Sequence, residues 1–248
     1  MTEERTNVAV VTGAAAGLGR SYARRLADDG FDLVLVDLDS CDATEADVAA
    51  AGAESMSALV DVTDPDAVTR LAAAVEERFR GCDVLVNNAG IYPLTSLDEL
   101  TFEEYRRVMA TNADSVFLTG KAFVPGMRER RFGRIINIAT QVNWMALPGV
   151  VAYVASKMAV IGLTRTMATE LGADDITVNC ISPGLVRTDT NVATHDPGVW
   201  ETVRTMSQVI PRTIMPDDVA GLVSFLASDD ASLITGQNFL VNAGAVRL

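Results

Sequence analysis

Residues 8–26 read VAVVTGAAAGLGRSYARRL, and this stretch decides the fold. Its first five residues are apolar or β-branched without helical spacing, the mark of a strand buried on both faces. After Thr12 come Gly13, Gly17 and Gly19, and then Tyr22 and Leu26 recur at the spacing of one helix face. Glycines serve such a junction because the chain turns tightly there. They also let bare backbone N–H groups approach a pyrophosphate at a helix N-terminus, where the helix dipole favours negative charge. A glycine-rich turn can also merely join strand to helix; the strand before it and the helix after it favour the dinucleotide reading.

Further strands are expected at Leu33–Asp37, Met56–Val60, Val84–Val86, Arg134–Ile138, Thr177–Ile181 and Phe239–Val241. They alternate with longer segments of helical period, which predicts a single α/β domain: a doubly wound parallel sheet with helices on both faces. Asp64 before Pro65 marks one helix start, and Thr101 with Glu104 predicts a capping box at another. No linker or internal repeat divides residues 1–248. Residues 188–216, with Pro197, Pro211, His195 and Trp200, lack clear periodicity. An insertion at a strand's carboxyl end lies over the ligand crevice of such a sheet, so this segment is a candidate substrate lid.

A net charge of −13 repels phosphate backbones and anionic lipid, and only Arg128, Arg130, Arg131 and Arg134 form a basic run. Neither nucleic acid nor a membrane is an expected partner. Three dispersed cysteines and one histidine, His195, make a metal site improbable. The polar start Met1–Thr6 does not read as a secretory signal, so a cytoplasmic, reduced protein is expected.

Asp37 lies 24 residues beyond Gly13, near the spacing of about 20 at which a carboxylate meets the adenosine ribose. It can accept hydrogen bonds from a free 2′-hydroxyl and would repel a 2′-phosphate, and no Lys or Arg lies between Gly13 and Gly19 to reverse this. NAD is therefore the expected cofactor. Asp61 could meet the adenine amino group or cap its own Asp-Val-Thr-Asp turn.

Tyr153 and Lys157 are four residues apart in the helical stretch 152–171, one turn apart on one face. A phenol with a pKa near 10 is a poor base at neutral pH, and an adjacent ammonium should draw that value down. An exposed Tyr/Lys pair is common on helices; the glycine loop upstream makes the catalytic reading the better one.

These residues resemble the short-chain dehydrogenase/reductase family, and the match runs in order along almost the whole chain. T-G-x-x-x-G-x-G is present as Thr12–Gly19, N-N-A-G as Asn87–Gly90, Y-x-x-x-K as Tyr153–Lys157 and a P-G turn as Pro183–Gly184. The resemblance implies a Rossmann fold and hydride transfer between a nicotinamide and a secondary alcohol or ketone, with Tyr153 as acid and base. It further implies that Lys157 binds the nicotinamide ribose, that Asn112 holds a water in a proton relay, and that Pro183, Gly184, Val186 and Thr188 contact the carboxamide. Leu18, Val62, Asn88 and Gly90 fall at its other cofactor contacts. The family's usual serine is replaced by Thr140, 13 residues before Tyr153; threonine keeps the donor hydroxyl and adds a methyl.

Residues 87–100, 123–127 and 224–236 look similar to NAD-dependent dehydrogenases of aromatic or cyclic alcohols, of the 1-phenylethanol or pyridoxal type. A mostly apolar pocket is expected from Val142, Trp144, Met145, Leu147, Val192, Trp200 and Met206, with Gln141, Asn143 and His195 as polar handles, the Trp and Met residues serving equally well as packing or subunit contacts. A 3-oxoacyl thioester reductase, implying NADP and a basic docking face, and a non-catalytic NAD-binding scaffold are the alternatives. Family members are commonly homotetramers joined through the helices expected at 101–131 and 152–171, where Ala155, Ala159 and Gly162 would allow close approach.

Overall fold

In this computed structural model, which describes residues 7–247, seven strands form one sheet: β1 (Val8–Thr12), β2 (Asp32–Asp37), β3 (Ser55–Leu59), β4 (Val84–Asn87), β5 (Gly133–Ile138), β6 (Ile176–Pro183) and β7 (Asn238–Val241). Each end lies within two residues of the expected one. The order is β3-β2-β1-β4-β5-β6-β7 and every pairing is parallel. A parallel sheet needs both faces covered, and strand alternation sorts the side chains accordingly. Ala9 and Val11 of β1 pack with helices α1 (Gly17–Asp28), α2 (Asp42–Ala50) and α9 (Pro216–Ala227). Val8 and Val10 pack with α3 (Pro65–Phe79), α5 (Ser115–Arg130) and α6 (Val151–Leu171).

Because β1 has β2 on one side and β4 on the other, the winding reverses between β1 and β4. That reversal opens a crevice at the carboxyl ends of the strands.

Local signals explain several helix starts. Asp64 accepts from the N–H groups of Asp66 and Ala67, with Pro65 at the first helical position of α3. Thr101 accepts from Glu104 N at 3.1 Å ahead of α4 (Phe102–Met109). The capping box expected there is only half made, because the Glu104 carboxylate accepts from the Thr95 hydroxyl instead, at 3.0 Å. The long helix expected over 101–131 is also broken: α4 and α5 are separated by a π turn at Ala110–Asp114, centred on buried Asn112. Such turns redirect backbone groups and recur at functional sites.

Residues 188–216 are more ordered than their aperiodic sequence suggests, forming α7 (Asp189–Thr194), α8 (Gly198–Thr202) and a π turn at Val203–Ser207.

Between β4, β5, α5 and α6 lies a buried polar chain. Asn87 Nδ2 donates to Asn137 Oδ1 at 2.9 Å, Asn137 Nδ2 donates to Thr164 Oγ1 at 2.9 Å, and Thr119 Oγ1 donates to Asn87 Oδ1 at 2.7 Å. It fixes the strand that carries the N-N-A-G motif. Asn137→Ala strands the buried Asn87 amide donor, at a cost of about 1–3 kcal/mol. The expected result is a lower denaturant midpoint at unchanged slope; an unmoved midpoint would show that the chain adds nothing to stability.

Candidate active site

The glycine loop is shaped by its neighbours. Gly13 has φ +66°, and a Cβ there would lie 2.8 Å from Asn88 Nδ2. A Cβ on Gly19 would lie 1.9 Å from Gly13 O, which no rearrangement of a side chain relieves. Gly17 has φ +58° and faces Thr188 across the crevice, with its notional Cβ 3.7 Å from that side chain. Asn88 Nδ2 donates to Thr12 O and Gly13 O at 3.0 and 3.1 Å, and the N–H groups of Asn88 and Ala89 both donate to Thr12 Oγ1 at 3.0 Å. The two motifs at the ends of β1 and β4 thus hold each other in place, and the result is a cradle of bare backbone suited to a pyrophosphate.

Asp37 ends β2 beside this cradle. Its Oδ2 accepts from Ala15 N at 2.9 Å and its Oδ1 from Leu38 N at 2.7 Å. Arg20, the first basic residue after the glycines, is held by Asp47 at 2.6 Å. Asp61 is exposed and its Oδ1 accepts from both N and Oγ1 of Thr63, so its side chain makes the turn that the sequence left as an alternative. Val62 is buried in the core beneath it, and Leu18 is half-buried against the α1 face.

At the far end of the crevice, Gly184 N donates to Val241 O at 2.9 Å, and a Cβ on Gly184 would lie 2.9 Å from Ile214 Cδ1. Pro183 ends β6, and Val186 bridges to Ile214. Thr188 caps α7 by accepting from Asn191 N at 3.1 Å.

Tyr153 and Lys157 both lie in the first half of α6, and Thr140 follows β5. The Thr140 oxygen accepts from Val142 N at 3.2 Å, which leaves its O–H to donate. The Thr140 hydroxyl acts on the nearby Tyr153 phenol to pull its pKa down, but burial pushes harder and carries the value up to about 12, with Tyr92 adding to the rise. The expected lowering by Lys157 is therefore not what this geometry gives. The Lys157 ammonium donates instead to the Ile138 carbonyl at 2.8 Å, and burial brings its own pKa down to about 8. Removing a phenolate from water costs more than the hydrogen bond returns.

The Asn112 side chain is bonded within the protein. Its Nδ2 donates to Ile91 O at 2.9 Å and to Ser156 Oγ at 3.1 Å, and its Oδ1 accepts from Ile91 N at 2.8 Å. A Cβ on Gly90 would lie 3.2 Å from Asn112 Oδ1 and 3.3 Å from Lys157 Nζ, so glycine there lets both groups share one small space.

Tyr92, Ser156 and the Ile138 carbonyl join the site without having been anticipated. Tyr92 stands two residues past N-N-A-G and carries no periodic signal, and a backbone acceptor has none to carry. Both amide atoms of Asn143 and Oε1 of Gln141 are buried without a protein partner, as fits polar handles. A cavity of about 290 Å³ is lined by Arg187, Val192, Pro197, Trp200 and Thr213. Met206, expected in the pocket, is 82 % exposed, because the π turn points it outward.

The arginine run is neutralised by its surroundings: Arg128 pairs with Asp174, Arg130 with Glu76 and Asp83, Arg131 with Asp175 and Arg134 with Asp229. Among the described residues no helix is long and apolar enough to cross a membrane.

Residues 13–246 match the family described as enoyl-(acyl carrier protein) reductase. The chain is 37% identical to the 3-oxoacyl-[acyl-carrier-protein] reductase FabG of Vibrio cholerae, over 96% of each chain. It is 38% identical to the 3-oxoacyl-[acyl-carrier-protein] reductase of Synechocystis, over 99% of each. The crystal structure of levodione reductase superposes with a TM-score of 0.90 at 31% identity, covering 96% of this chain and 97% of that one.

Proposed function

Since the chain belongs to the short-chain dehydrogenase/reductase family, we propose that it transfers a hydride between NAD(H) and a secondary alcohol or its ketone, acting on a small cyclic or aromatic compound. What supports this is Lys157, one turn from Tyr153 on the same helix, lying against Gly90 of the motif whose Asn88 holds the glycine cradle beside Asp37.

The residues fit a dinucleotide. Gly13, Gly17 and Gly19 cradle the pyrophosphate, Asp37 takes the adenosine ribose hydroxyls, and Asp61 and Val62 border the adenine. Asn88, Gly90, Pro183, Gly184, Val186 and Thr188 border the nicotinamide half, and Lys157 binds its ribose. Bound there, the nicotinamide supplies or takes the hydride. The protein's own part is the proton. With its pKa held at about 12, the Tyr153 phenol keeps its proton at neutral pH and gives it to the oxygen of a ketone as charge develops there. Thr140 donates a second hydrogen bond to the same oxygen. Lys157 and Asn112 lie behind them as the route by which the proton is replaced. Residues 188–216 close over the substrate and exclude water.

NAD rather than NADP rests on Asp37, whose carboxylate would lie against a 2′-phosphate, and on Arg20 being taken by Asp47. Asp37→Asn keeps an acceptor for Ala15 N while removing the charge. It should narrow the preference for NADH over NADPH by about tenfold or more, read from kcat/KM with each cofactor; an unchanged ratio would remove Asp37 from this role.

Reduction of a 3-oxoacyl thioester is the second reading, favoured by the names of the relatives above. Against a carrier-protein partner stand the net charge of −13 and the paired arginines. A panel of cyclic and aromatic ketones against a 3-oxoacyl thioester, each with NADH and NADPH, separates the two by nicotinamide absorbance. A thioester preferred with NADPH would overturn the first reading. A homotetramer joined through α5 and α6 is part of the same proposal; sizing in solution tests it.

A further inference from the structure

Four aromatic rings run from the 188–216 segment to the reacting phenol. The Trp200 and His195 ring centroids are 6.3 Å apart. The His195 imidazole lies almost parallel to the Tyr92 ring, at 8° and 6.3 Å. Tyr92 in turn meets Tyr153 edge to face, at 77° and 4.5 Å. We propose that Tyr92 is a positioning residue, through which the docking of His195 sets the orientation of the Tyr153 phenol, so that closing the segment and readying the proton donor are one event. This rests on the function proposed above.

A tyrosine ring at a crevice mouth swings about two torsions, and a hydrogen bond at its hydroxyl would not by itself fix the ring plane. Edge-to-face packing defines that plane, since the positive ring edge of one partner meets the negative face of the other. Tyr92 is well placed to do this, because its own chain is fixed. Its neighbour Ile91 is clamped through N and O by Asn112, at 2.8 and 2.9 Å.

The other end of the chain of rings is equally restrained. His195 Nδ1 lies 3.0 Å from Asn191 O and 3.1 Å from Thr194 Oγ1. A carbonyl only accepts, so Nδ1 carries the proton and the imidazole is locked to the end of α7. The start of α7 is rooted in the turn after β6, where Asn191 Nδ2 donates to Val186 O at 2.8 Å and Thr188 caps Asn191 N. Movement of α7 therefore carries the imidazole with it onto or off Tyr92. That gives His195, the chain's one histidine, a role without making it a base.

The test uses untagged full-length protein and the variants Tyr92→Phe, Tyr92→Leu and His195→Ala. Tyr92→Phe keeps the ring and should retain parental kcat. Tyr92→Leu should lower kcat about three- to tenfold with dinucleotide affinity unchanged, and should shift the pH midpoint of the reductive rate. His195→Ala should mainly raise KM. In the double variant with Tyr92→Leu the His195 effect should vanish, since the two act as one unit. Independently of activity, the single imidazole resonance of isotope-labelled histidine should shift in Tyr92→Leu and stay put in Tyr92→Phe, because the ring current acting on it is lost only in the first. Parental kcat and pH profile in Tyr92→Leu, additive effects in the double variant, or an unmoved imidazole resonance would each overturn the proposal. A parent protein with no nicotinamide-linked turnover would instead overturn the proposed function, and the resonance alone would then decide the contact between His195 and Tyr92.

Discussion

Tyr153→Phe is expected to leave dinucleotide binding at the parental level and to lower kcat on the order of a hundred- to ten-thousand-fold, the range lost with a positioned acid–base group. The substitution removes one oxygen. The ring still fills its place against Tyr92, and Lys157 keeps its bond to the Ile138 carbonyl, so the cradle and the ribose contact survive. What disappears is the proposed proton donor. Cofactor fluorescence titration beside steady-state turnover separates the two effects, and a variant with parental turnover would remove Tyr153 from the chemistry.

The same residue fixes the sign of the pH dependence. A phenol raised to about 12 is protonated throughout the neutral range. Ketone reduction, which consumes that proton, should be level through neutrality and fall only as the phenol ionises. Alcohol oxidation needs the phenolate and should climb with pH over the same interval. Opposite slopes in the two directions, measured on the parent, are the expected result; parallel profiles would point to a different group.

Gly19→Ala is the complementary case, with chemistry intact and binding lost. The added Cβ would fall 1.9 Å from Gly13 O and 2.7 Å from Gly13 C. Neither atom can yield alone, because Gly13 O also accepts from Asn88 Nδ2 at 3.1 Å. The loop must open, and its N–H groups then miss the phosphates by a distance comparable to the one that costs about a hundredfold elsewhere in catalysis. Dinucleotide affinity should fall by about that factor. Unchanged affinity would mean that the glycine answers only to strand–helix geometry.

Much of the fold was legible because its signals are local. Five apolar or β-branched residues before a glycine turn make β1 whatever lies elsewhere, and the same logic located the other six strands. Asp64 with Pro65 marked the start of α3 from two adjacent residues. The signal fails where the decisive partner is remote. Glu104 was expected to close a capping box and bonds Thr95 instead. The helix through Asn112 was expected to be continuous, yet the side chain is drawn to Ile91 and Ser156 and the backbone passes through a π turn.

The candidate site divides in the same way. Which residue types stand at which spacing is a property of the chain, so the glycines, Asp37, Tyr153 and Lys157 could be named in advance, and the family resemblance added Thr140. How they act on one another depends on burial and on direction. A spacing of four puts an ammonium beside a phenol; only the packed protein aims that ammonium at the Ile138 carbonyl and takes the phenol out of water, so that its pKa rises where an exposed pair would have lowered it. The sequence by itself determined the parallel sheet, the glycine loop between its first strand and helix, and the residue types of the candidate site, because backbone preference and side-chain chemistry act over a few residues. Tertiary structure alone decided the direction in which the phenol's pKa moves and the ring contact joining Tyr92 to His195, because solvation and packing are set by neighbours distant in the chain.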